Sequence, residues 1–173
     1  MTATSPTDAL DLEAQLPPPR VREGRSLTMD QLLERIPDDS RVYVTALMGP
    51  PTAILEAMAA EPDRWTALET TCDYLAEPLA TFANPGAPFR HLSVQASRAL
   101  APMADADALR IVSACSSQLS GLYRPGGPLA VDVAIVQVSR PGPDGRFSLG
   151  CSGGITAELV RAAPLVLAQI NPT

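Results

Sequence analysis

Residues 131–138, with the sequence VDVAIVQV, constrain the fold of this chain more than any other segment. The segment is rich in β-branched residues, which favour strands. Its apolar run is too continuous for a strand with one face in water, where polar and apolar residues alternate. A strand buried on both faces is typical of a parallel sheet that helices cover on both sides. Its two polar residues, Asp132 and Gln137, then need hydrogen-bond partners.

The rest of the chain alternates between strand and helix patterns. The other predicted strands are residues 41–46, 65–71, 110–114 and 164–170. The predicted helices are residues 53–60, 97–109, 116–123 and 156–163, after a short helix that begins at the Thr28 and Gln31 capping-box pattern and ends before Pro37. Such alternation indicates βαβ units. We therefore predict an α/β fold, with a mostly parallel open sheet and helices on both faces.

The length of 173 residues suits a single domain, which we expect over residues 26–173. Residues 1–25 are polar, acidic and proline-rich, and they predict a flexible N-terminal arm. This start lacks the basic and apolar regions of a secretory signal, and no apolar run approaches the roughly 20 residues of a membrane span. We expect a soluble cytoplasmic protein. The formal charge of −6 disfavours nucleic acid and anionic membranes as partners.

The cysteines and the single histidine give no catalytic or metal signature. Cys72, Cys115 and Cys151 are widely spaced, and no CxxC pair or second histidine completes a metal set. We interpret them as reduced thiols that fill small spaces in the core. A Ser-His-Asp or Cys-His arrangement would have to use His91, and nothing in the sequence places a nucleophile beside it.

The final third of the chain resembles the acetyl-CoA hydrolase/transferase family, which includes 4-hydroxybutyrate and butyryl CoA-transferases. Residues 131–173 follow the family's order of a strand similar to VDVALIQVS, a turn, the sequence SLG, a helix and a strand ending similarly to AQVNP. Upstream, Asp39 to Val42, the helix start at Pro51 to Ala57, and Phe89 to His91 also fit. The resemblance covers residues 27–173.

The resemblance implies an N-terminal CoA-transferase-type domain of an enzyme that transfers coenzyme A between an acyl-CoA and a carboxylate, or hydrolyses acyl-CoA. It places the catalytic glutamate, which forms a glutamyl-CoA thioester, on a second domain. We therefore expect no catalytic residue and no metal site in this chain, which stops near the family's interdomain segment. Either the natural protein continues, or a separate subunit supplies the other half.

The expected ligands and partners follow from the same resemblance. Coenzyme A thioester is a substrate and not a permanently bound cofactor. The expected partners are acyl-CoA, the carboxylate acceptor, the C-terminal domain or subunit, and further copies of the chain in a homo-oligomer. The competing interpretation is a non-catalytic α/β module that binds a partner or scaffolds a complex.

Candidate binding residues follow the predicted strands. In parallel sheets, ligands bind where loops leave the carboxyl ends of strands. The family's loop after the first strand is glycine-rich and lies against the acyl and thioester end of the substrate, where backbone N–H groups can approach an oxyanion. Here that loop has only Gly49, and Pro50 and Pro51 donate no N–H. The residues expected to bind substrate are Met48, Gly49, Pro51, Thr52, His91, Gln137 and Asn171.

Three of these positions have a competing structural interpretation. Pro51 could serve only as the first residue of a helix, and His91 could be structural. For Asn171, a role in a hinge or interface is favoured over contact with the substrate. The sequence Ser152-Gly153-Gly154 could hold a phosphate at a helix N-terminus, although a turn and cap explains it more simply.

Overall fold

The computed structural model describes residues 24–46, 49–72, 74–86, 88–151 and 154–171. The strands are β1 (Ser40–Val44), β2 (Leu68–Cys72), β3 (Phe89–Ser93), β4 (Leu109–Ile111), β5 (Val133–Val138) and β6 (Leu165–Ile170). The α-helices are α1 (Met29–Leu33), α2 (Thr52–Ala60), α3 (Ala101–Asp105), α4 (Ser116–Tyr123) and α5 (Thr156–Ala162). Short 3₁₀ turns occupy Pro62–Arg64, Ala80–Ala83 and Arg98–Leu100.

The six strands form one parallel sheet in the order β4-β3-β2-β1-β5-β6. The chain adds strands outward from β1 to β4, then returns across the sheet to place β5 on the other side of β1. Because crossovers between parallel strands are right-handed, this reversal puts the later helices on the opposite face. The predicted α/β architecture is confirmed.

Alternate residues of the central strands enter two separate cores. Val42 and Val44 of β1 face the core under α1, α2 and α3, whereas Tyr43 faces the core under α4 and α5. In β5, Ile135 faces the first core and Ala134 faces the second, and both side chains are fully buried. The prediction that this strand is covered on both faces is therefore confirmed.

Two tyrosine hydroxyls fasten the second helix layer to the sheet. The hydroxyl of Tyr43 lies 2.7 Å from that of Thr156 at the start of α5. The hydroxyl of Tyr123 in α4 lies 2.6 Å from that of Thr71 in β2. Because a buried tyrosine needs a partner for its hydroxyl, these pairs fix where each helix sits over the sheet.

Local signals located several element ends correctly. The backbone N–H of Gln31 donates to Thr28 Oγ1 at 3.3 Å, and that of Thr28 donates to Gln31 Oε1 at 3.1 Å, which confirms the capping box. Asp132 finds its expected partner, because Oδ2 accepts from the backbone N–H of Arg41 at 2.9 Å. The predicted arm falls almost wholly in residues 1–23, outside the described residues.

The structure corrects the sequence analysis between residues 72 and 115. Strand β3 was not predicted, because Arg90 and His91 interrupt its apolar pattern. The helix predicted over residues 97–109 is a 3₁₀ turn followed by the short α3, which ends before Asp107 at a φ of 54°. A left-handed residue of this kind cannot continue an α-helix. Strand β4 accordingly begins one residue earlier than predicted and ends at Ile111.

Two of the three cysteines are not core residues. Cys72 is buried at the end of β2, but Cys115 and Cys151 are exposed in loops, which corrects their interpretation as core side chains. None of the helices in the described part of the chain has the length and apolar character that a membrane crossing requires.

Strand β6 forms an edge of the sheet with little protection. Within the described ranges no strand pairs with its outer edge, and residues 165–170 contain no charge and no proline. Ile170 at its end is 49% exposed. Natural edge strands are usually blunted by lysine, proline or a bulge, because their unpaired backbone groups attract further strands.

We predict that the chain self-associates through the β6 edge. Ile170→Lys should lower the association constant measured by sedimentation velocity, because a charged edge disfavours strand pairing. Met29→Lys is the matched control, since Met29 in α1 is also an exposed apolar residue, at 39%. A wild-type chain that stays monomeric at high concentration would contradict this prediction, as would equal effects of the two variants.

A candidate substrate site at the carboxyl ends of the strands

The candidate site lies where the strand order reverses, between β1 and β5. In an open parallel sheet, the point where the strand order reverses is where a ligand crevice is expected, at the carboxyl edge of the sheet. Five of the predicted substrate-binding residues follow or end the strands at this edge: Gly49, Pro51, Thr52, Gln137 and Asn171. A sixth, Met48, lies outside the described residues.

Thr45 joins the two sides of the crevice. It follows β1, is 1% exposed, and donates its hydroxyl to the carbonyl oxygen of Gly49 at 2.9 Å. The same hydroxyl accepts the backbone N–H of Gln137 from β5 at 3.2 Å. A threonine hydroxyl can be donor and acceptor at once, so one side chain sets the loop after β1 against β5. No motif in the sequence predicted this role for Thr45.

The start of α2 is completed by a side chain from the last strand. Pro51 is buried just before the helix and provides no side-chain cap. Instead, Gln169 Oε1 in β6 accepts the backbone N–H groups of Ala53 at 3.0 Å and Ile54 at 3.3 Å. An anion at this helix terminus would have to displace Gln169 from its donors. No motif in the sequence predicted this role for Gln169.

Two further predicted residues lie beside these contacts. Gln137 pairs with Gln169 in the sheet register, and its side-chain amide is half-buried and bonds to no residue of the described ranges. The backbone N–H of Asn171 donates to the carbonyl of Val138 at 2.7 Å, which continues the β5 and β6 ladder by one residue. The Gln137 amide therefore offers polar atoms at the edge of the crevice.

A pocket of about 340 Å³ opens beside the crevice, between the start of α2 and the segment after β2. The described residues that line it are Ala46, Pro50, Thr52, Leu55, Glu56, Leu75, Ala76, Glu77, Pro78, Leu79 and Ala80. Its surface is mainly apolar, with two exposed carboxylates, Glu56 and Glu77. Residues 75–80 were predicted only as an irregular segment, and they form half of the lining. Pockets of this size and polarity are typical small-molecule sites.

His91 lies in the core and not with the other predicted residues. It is fully buried in the middle of β3, with Nδ1 2.9 Å from Thr70 Oγ1 and Nε2 3.9 Å from Cys72 Sγ. The ring of Phe82 covers it, with 5.0 Å between ring centroids. Burial lowers the pKa of His91 to about 4, so the ring is neutral at pH 7.

The possible phosphate cradle at residues 152–154 is only partly described. Ser152 and Gly153 lie outside the described residues, and Gly154 has a φ of 62° in the turn before α5. No three His, Cys, Asp or Glu side chains of the described ranges are arranged to hold a metal ion.

Together, these features define an open parallel α/β domain with an apolar pocket beside its switch point. No family model matches the chain. It is 24% identical over 153 residues to a 4-hydroxybutyrate coenzyme A transferase of Clostridium kluyveri, and this match covers 87% of the chain and 35% of that protein.

Solved structures share the fold. RipA from Yersinia pestis matches 84% of the chain and 36% of its own length, with a TM-score of 0.72 and 17% identity. A 4-hydroxybutyrate CoA-transferase from Porphyromonas gingivalis matches 83% of the chain and 32% of its own length, with a TM-score of 0.58 and 22% identity. The chain is thus similar to a CoA-transferase in sequence and fold, and it spans about a third of the proteins it matches.

The buried histidine predicts a specific loss of stability in weak acid. His91 takes up a proton near pH 6.5 in the unfolded chain but only near pH 4 in the folded chain. The free energy of unfolding should therefore be at its highest above pH 6.5 and should fall as the pH drops to 4. At about 1.4 kcal/mol per pH unit, the free energy of unfolding should fall by about 3 kcal/mol. Urea unfolding at several pH values measures it.

His91→Gln should remove this slope, and the ring-proton shifts of His91 in the wild type should stay those of neutral imidazole down to about pH 4. Asp38 does not disturb this measurement. Hydrogen bonds from Thr66 and Ala67 lower the pKa of Asp38 to about 2, so the stability that Asp38 contributes is lost only as the pH falls below 3.8. An imidazole that titrates near pH 6.5 in the folded chain would contradict the prediction.

The Gln169 contact predicts an order of stability among three variants. Gln169→Ala leaves the N–H groups of Ala53 and Ile54 without this acceptor and should lower the free energy of unfolding by about 1 kcal/mol. Gln169→Glu keeps an acceptor and adds a negative charge at a helix N-terminus, so it should match or exceed the wild type. Gln137→Ala is the control and should be nearly neutral. Equal stability of all three variants would show that the cap contributes nothing.

Proposed function

We propose that this chain is the N-terminal, substrate-binding half of an acetyl-CoA hydrolase/transferase-type enzyme. The enzyme transfers coenzyme A between an acyl-CoA and a carboxylate through a glutamyl-CoA thioester, whose glutamate belongs to a second domain. The apolar pocket beside the switch point carries the proposal, and the similarity to the Clostridium kluyveri enzyme supports it. Hydrolysis is the close variant, in which water resolves the thioester.

In this proposal the pocket holds the acyl group of the substrate. Leu55, Leu75 and Leu79 give it an apolar floor, and Thr52 lies at its opening by the start of α2. Gly49 and the Gln137 amide lie along the crevice, where they can approach the thioester oxygen. The Gln137 side chain would supply a hydrogen-bond donor to the thioester oxygen, which Pro50 and Pro51 cannot do because proline has no backbone N–H.

The nucleotide part of coenzyme A is proposed to lie on the second domain. Its phosphates need cations or free helix donors. The donors at the start of α2 are already bonded to Gln169, and the described lining of the pocket has two carboxylates and no cation. The chain therefore suits the acyl end of the substrate better than the phosphate end.

Two glutamates of the described residues, Glu56 and Glu77, line the pocket, but the resemblance assigns the attacking glutamate to a second domain. His91 and Cys72 are buried in the core. A carboxylate from a second domain, either a continuation of this chain or a separate subunit, would complete the site, and a homo-oligomer remains the expected assembly.

The loop after β1 favours the second candidate function, a binding or scaffold module without catalysis. Two consecutive prolines, Pro50 and Pro51, leave this loop short of the donors that stabilise an oxyanion. A domain with a glutamate, found either past the codon for Thr173 or as a separate subunit that binds this chain, is required by the enzyme and not by the binding module, so finding it would decide for the enzyme.

We expect the purified 173-residue chain to show no transfer of coenzyme A from acetyl-CoA to 4-hydroxybutyrate, because nucleophilic catalysis needs the second domain's carboxylate. The chain together with that domain should catalyse exchange, and mass spectrometry should locate the coenzyme A adduct on a glutamate of the second domain. The second domain alone is the control. Robust turnover by the chain alone, or an adduct on it, would refute the proposal.

A further inference from the structure

We propose that the side-chain amides of Gln137 and Gln169 form a pair of neutral hydrogen-bond donors that holds the carboxylate of the acceptor. In the other half of the reaction the same two amides hold the carbonyl oxygen of the acyl thioester, and in both cases the aliphatic part of the ligand lies in the apolar pocket. We call the two glutamines the amide pair. The inference rests on the proposed function for identifying the ligand, but carboxylate binding by the amide pair can be measured without catalysis.

The amide pair lies on the face of the sheet that α2 covers. Gln137 and Gln169 are partners in the β5–β6 register, and paired residues of neighbouring strands project from the same face about 4.8 Å apart. Ile135 and Leu167, two residues earlier in each strand, belong to the core under α2. Because alternate residues of a strand share a face, both amides project to the side of α2.

The amide pair begins next to the wall of the pocket. Val44 of β1 pairs with Ile135 of β5. Beyond this pair, the hydroxyl of Thr45 accepts the backbone N–H of Gln137 at 3.2 Å, so the two strand ends stay adjacent. Ala46, the next residue, packs against the core under α2 and lines the pocket. A ligand whose chain lies in the pocket can therefore place its polar end against Gln137.

The orientation of the Gln169 amide is fixed by the start of α2. Oε1 accepts the backbone N–H groups of Ala53 at 3.0 Å and Ile54 at 3.3 Å. A reversed amide would put its NH₂ group against two N–H donors, and an amide nitrogen accepts neither. The NH₂ group is therefore directed away from these donors, and it bonds to no residue of the described ranges. Because Oε1 accepts two bonds, the amide is polarised and its own N–H groups are stronger donors.

Gln137 supplies the second donor group. Its side chain is half-buried, and its amide bonds to no residue within the described part of the chain. Each primary amide offers two N–H donors, and a carboxylate has two oxygens that can each accept more than one hydrogen bond. Polar groups that are partly removed from water need such partners. The amide pair therefore matches a carboxylate in the number of its donors.

Neutral donors suit the two ligands that the proposed transfer places here in turn. The acceptor carboxylate is charged, whereas the thioester carbonyl is not. An arginine would attract the carboxylate by its full charge and would hold one ligand much more tightly than the other. Primary amides donate to both oxygens without adding a charge. The pocket also has two carboxylates, Glu56 and Glu77, but both are exposed, and salt screens their repulsion of a ligand carboxylate.

Binding to the intact 173-residue chain tests the amide pair directly. Hexanoate and hexan-1-ol share a six-carbon chain, and each is titrated into the protein at about 0.15 M salt and followed by NMR. The side-chain NH₂ signals of Gln137 and Gln169 should shift and saturate with hexanoate. We expect hexanoate to bind about three- to tenfold more tightly than hexan-1-ol, because its charged oxygens accept from both amides.

Two substitutions separate the donors from the cap of α2. Gln169→Glu keeps Oε1 for the N–H groups of α2 but replaces the donor nitrogen by a negative oxygen, so the affinity for hexanoate should fall at least about tenfold. Gln137→Met removes donors without adding a charge and should lower that affinity about three- to fivefold. Both variants should bind hexan-1-ol within about twofold of the wild type.

Gln118→Glu is the matched control. Gln118 Oε1 likewise accepts a backbone N–H, that of Cys115 at 2.8 Å, at the start of α4 on the opposite face of the sheet. This variant makes the same chemical change at another helix terminus and should leave the affinities for hexanoate and hexan-1-ol unchanged. Urea unfolding shows whether each variant is folded. If Gln169→Glu is not, Gln137→Met decides, because the Gln137 side chain bonds to no described residue.

Four results would overturn the inference. They are unchanged hexanoate binding in folded Gln169→Glu or in Gln137→Met, an equal loss in Gln118→Glu, a loss of hexan-1-ol affinity as large as that of hexanoate, and side-chain NH₂ signals of the amide pair that do not move with hexanoate.

The inference and the proposed function fail in different ways. With the second domain present, Gln137→Met should raise the KM for the carboxylate acceptor about three- to fivefold. If transfer occurs and this KM is unchanged, the role of the amide pair is refuted and the enzyme function stands. If the wild type transfers nothing and hexanoate still binds to the amide pair, the enzyme function is refuted and the carboxylate site stands.

Discussion

The parallel pairing of β1 with β5 is the interaction on which the rest of the structure depends. It joins Val42 to Val133, and so brings together parts of the chain that are about ninety residues apart. Burial of Val44 and Ile135 from both strands in one core stabilises it. Because the chain must return across the sheet to make this pair, the pairing divides the helices between two faces. It also produces the reversal of strand order that opens the crevice.

The elements that could be predicted from the sequence are those whose signals are local. Strand β5 was predicted because its sequence is rich in β-branched residues, and α4 has the predicted bounds, Ser116–Tyr123. The rule that ligands gather at carboxyl ends of parallel strands located the edge that holds Gly49 and Gln137. Strand β3 was not predicted, because His91 interrupts its apolar pattern. The hydrogen bond to Thr70 allows His91 to lie in the core, and a single sequence does not show that partner.

The parts of the candidate site that could not be predicted depend on contacts between distant residues. Thr45 and Gln137 are 92 positions apart, and Gln169 and Ala53 are 116 apart. No periodicity or short motif carries such information. The same limitation applies to residues 75–80, whose lack of a regular pattern conceals their place beside α2 in the pocket. Composition and motif spacing therefore located the edge of the sheet but not the side chains that hold it together.

The capping of α2 by Gln169 has a consequence for how the chain folds during its synthesis. Ala53 and Ile54 leave the ribosome long before the residue that accepts their N–H groups, which lies 115 residues beyond Ile54. At roughly 5–20 residues per second, this interval is on the order of ten seconds. Helix α2 and the nearby pocket wall are completed only when the last strand arrives. During that time the N–H groups of Ala53 and Ile54 lack their Gln169 acceptor, so this end of the helix is completed by a late, long-range contact.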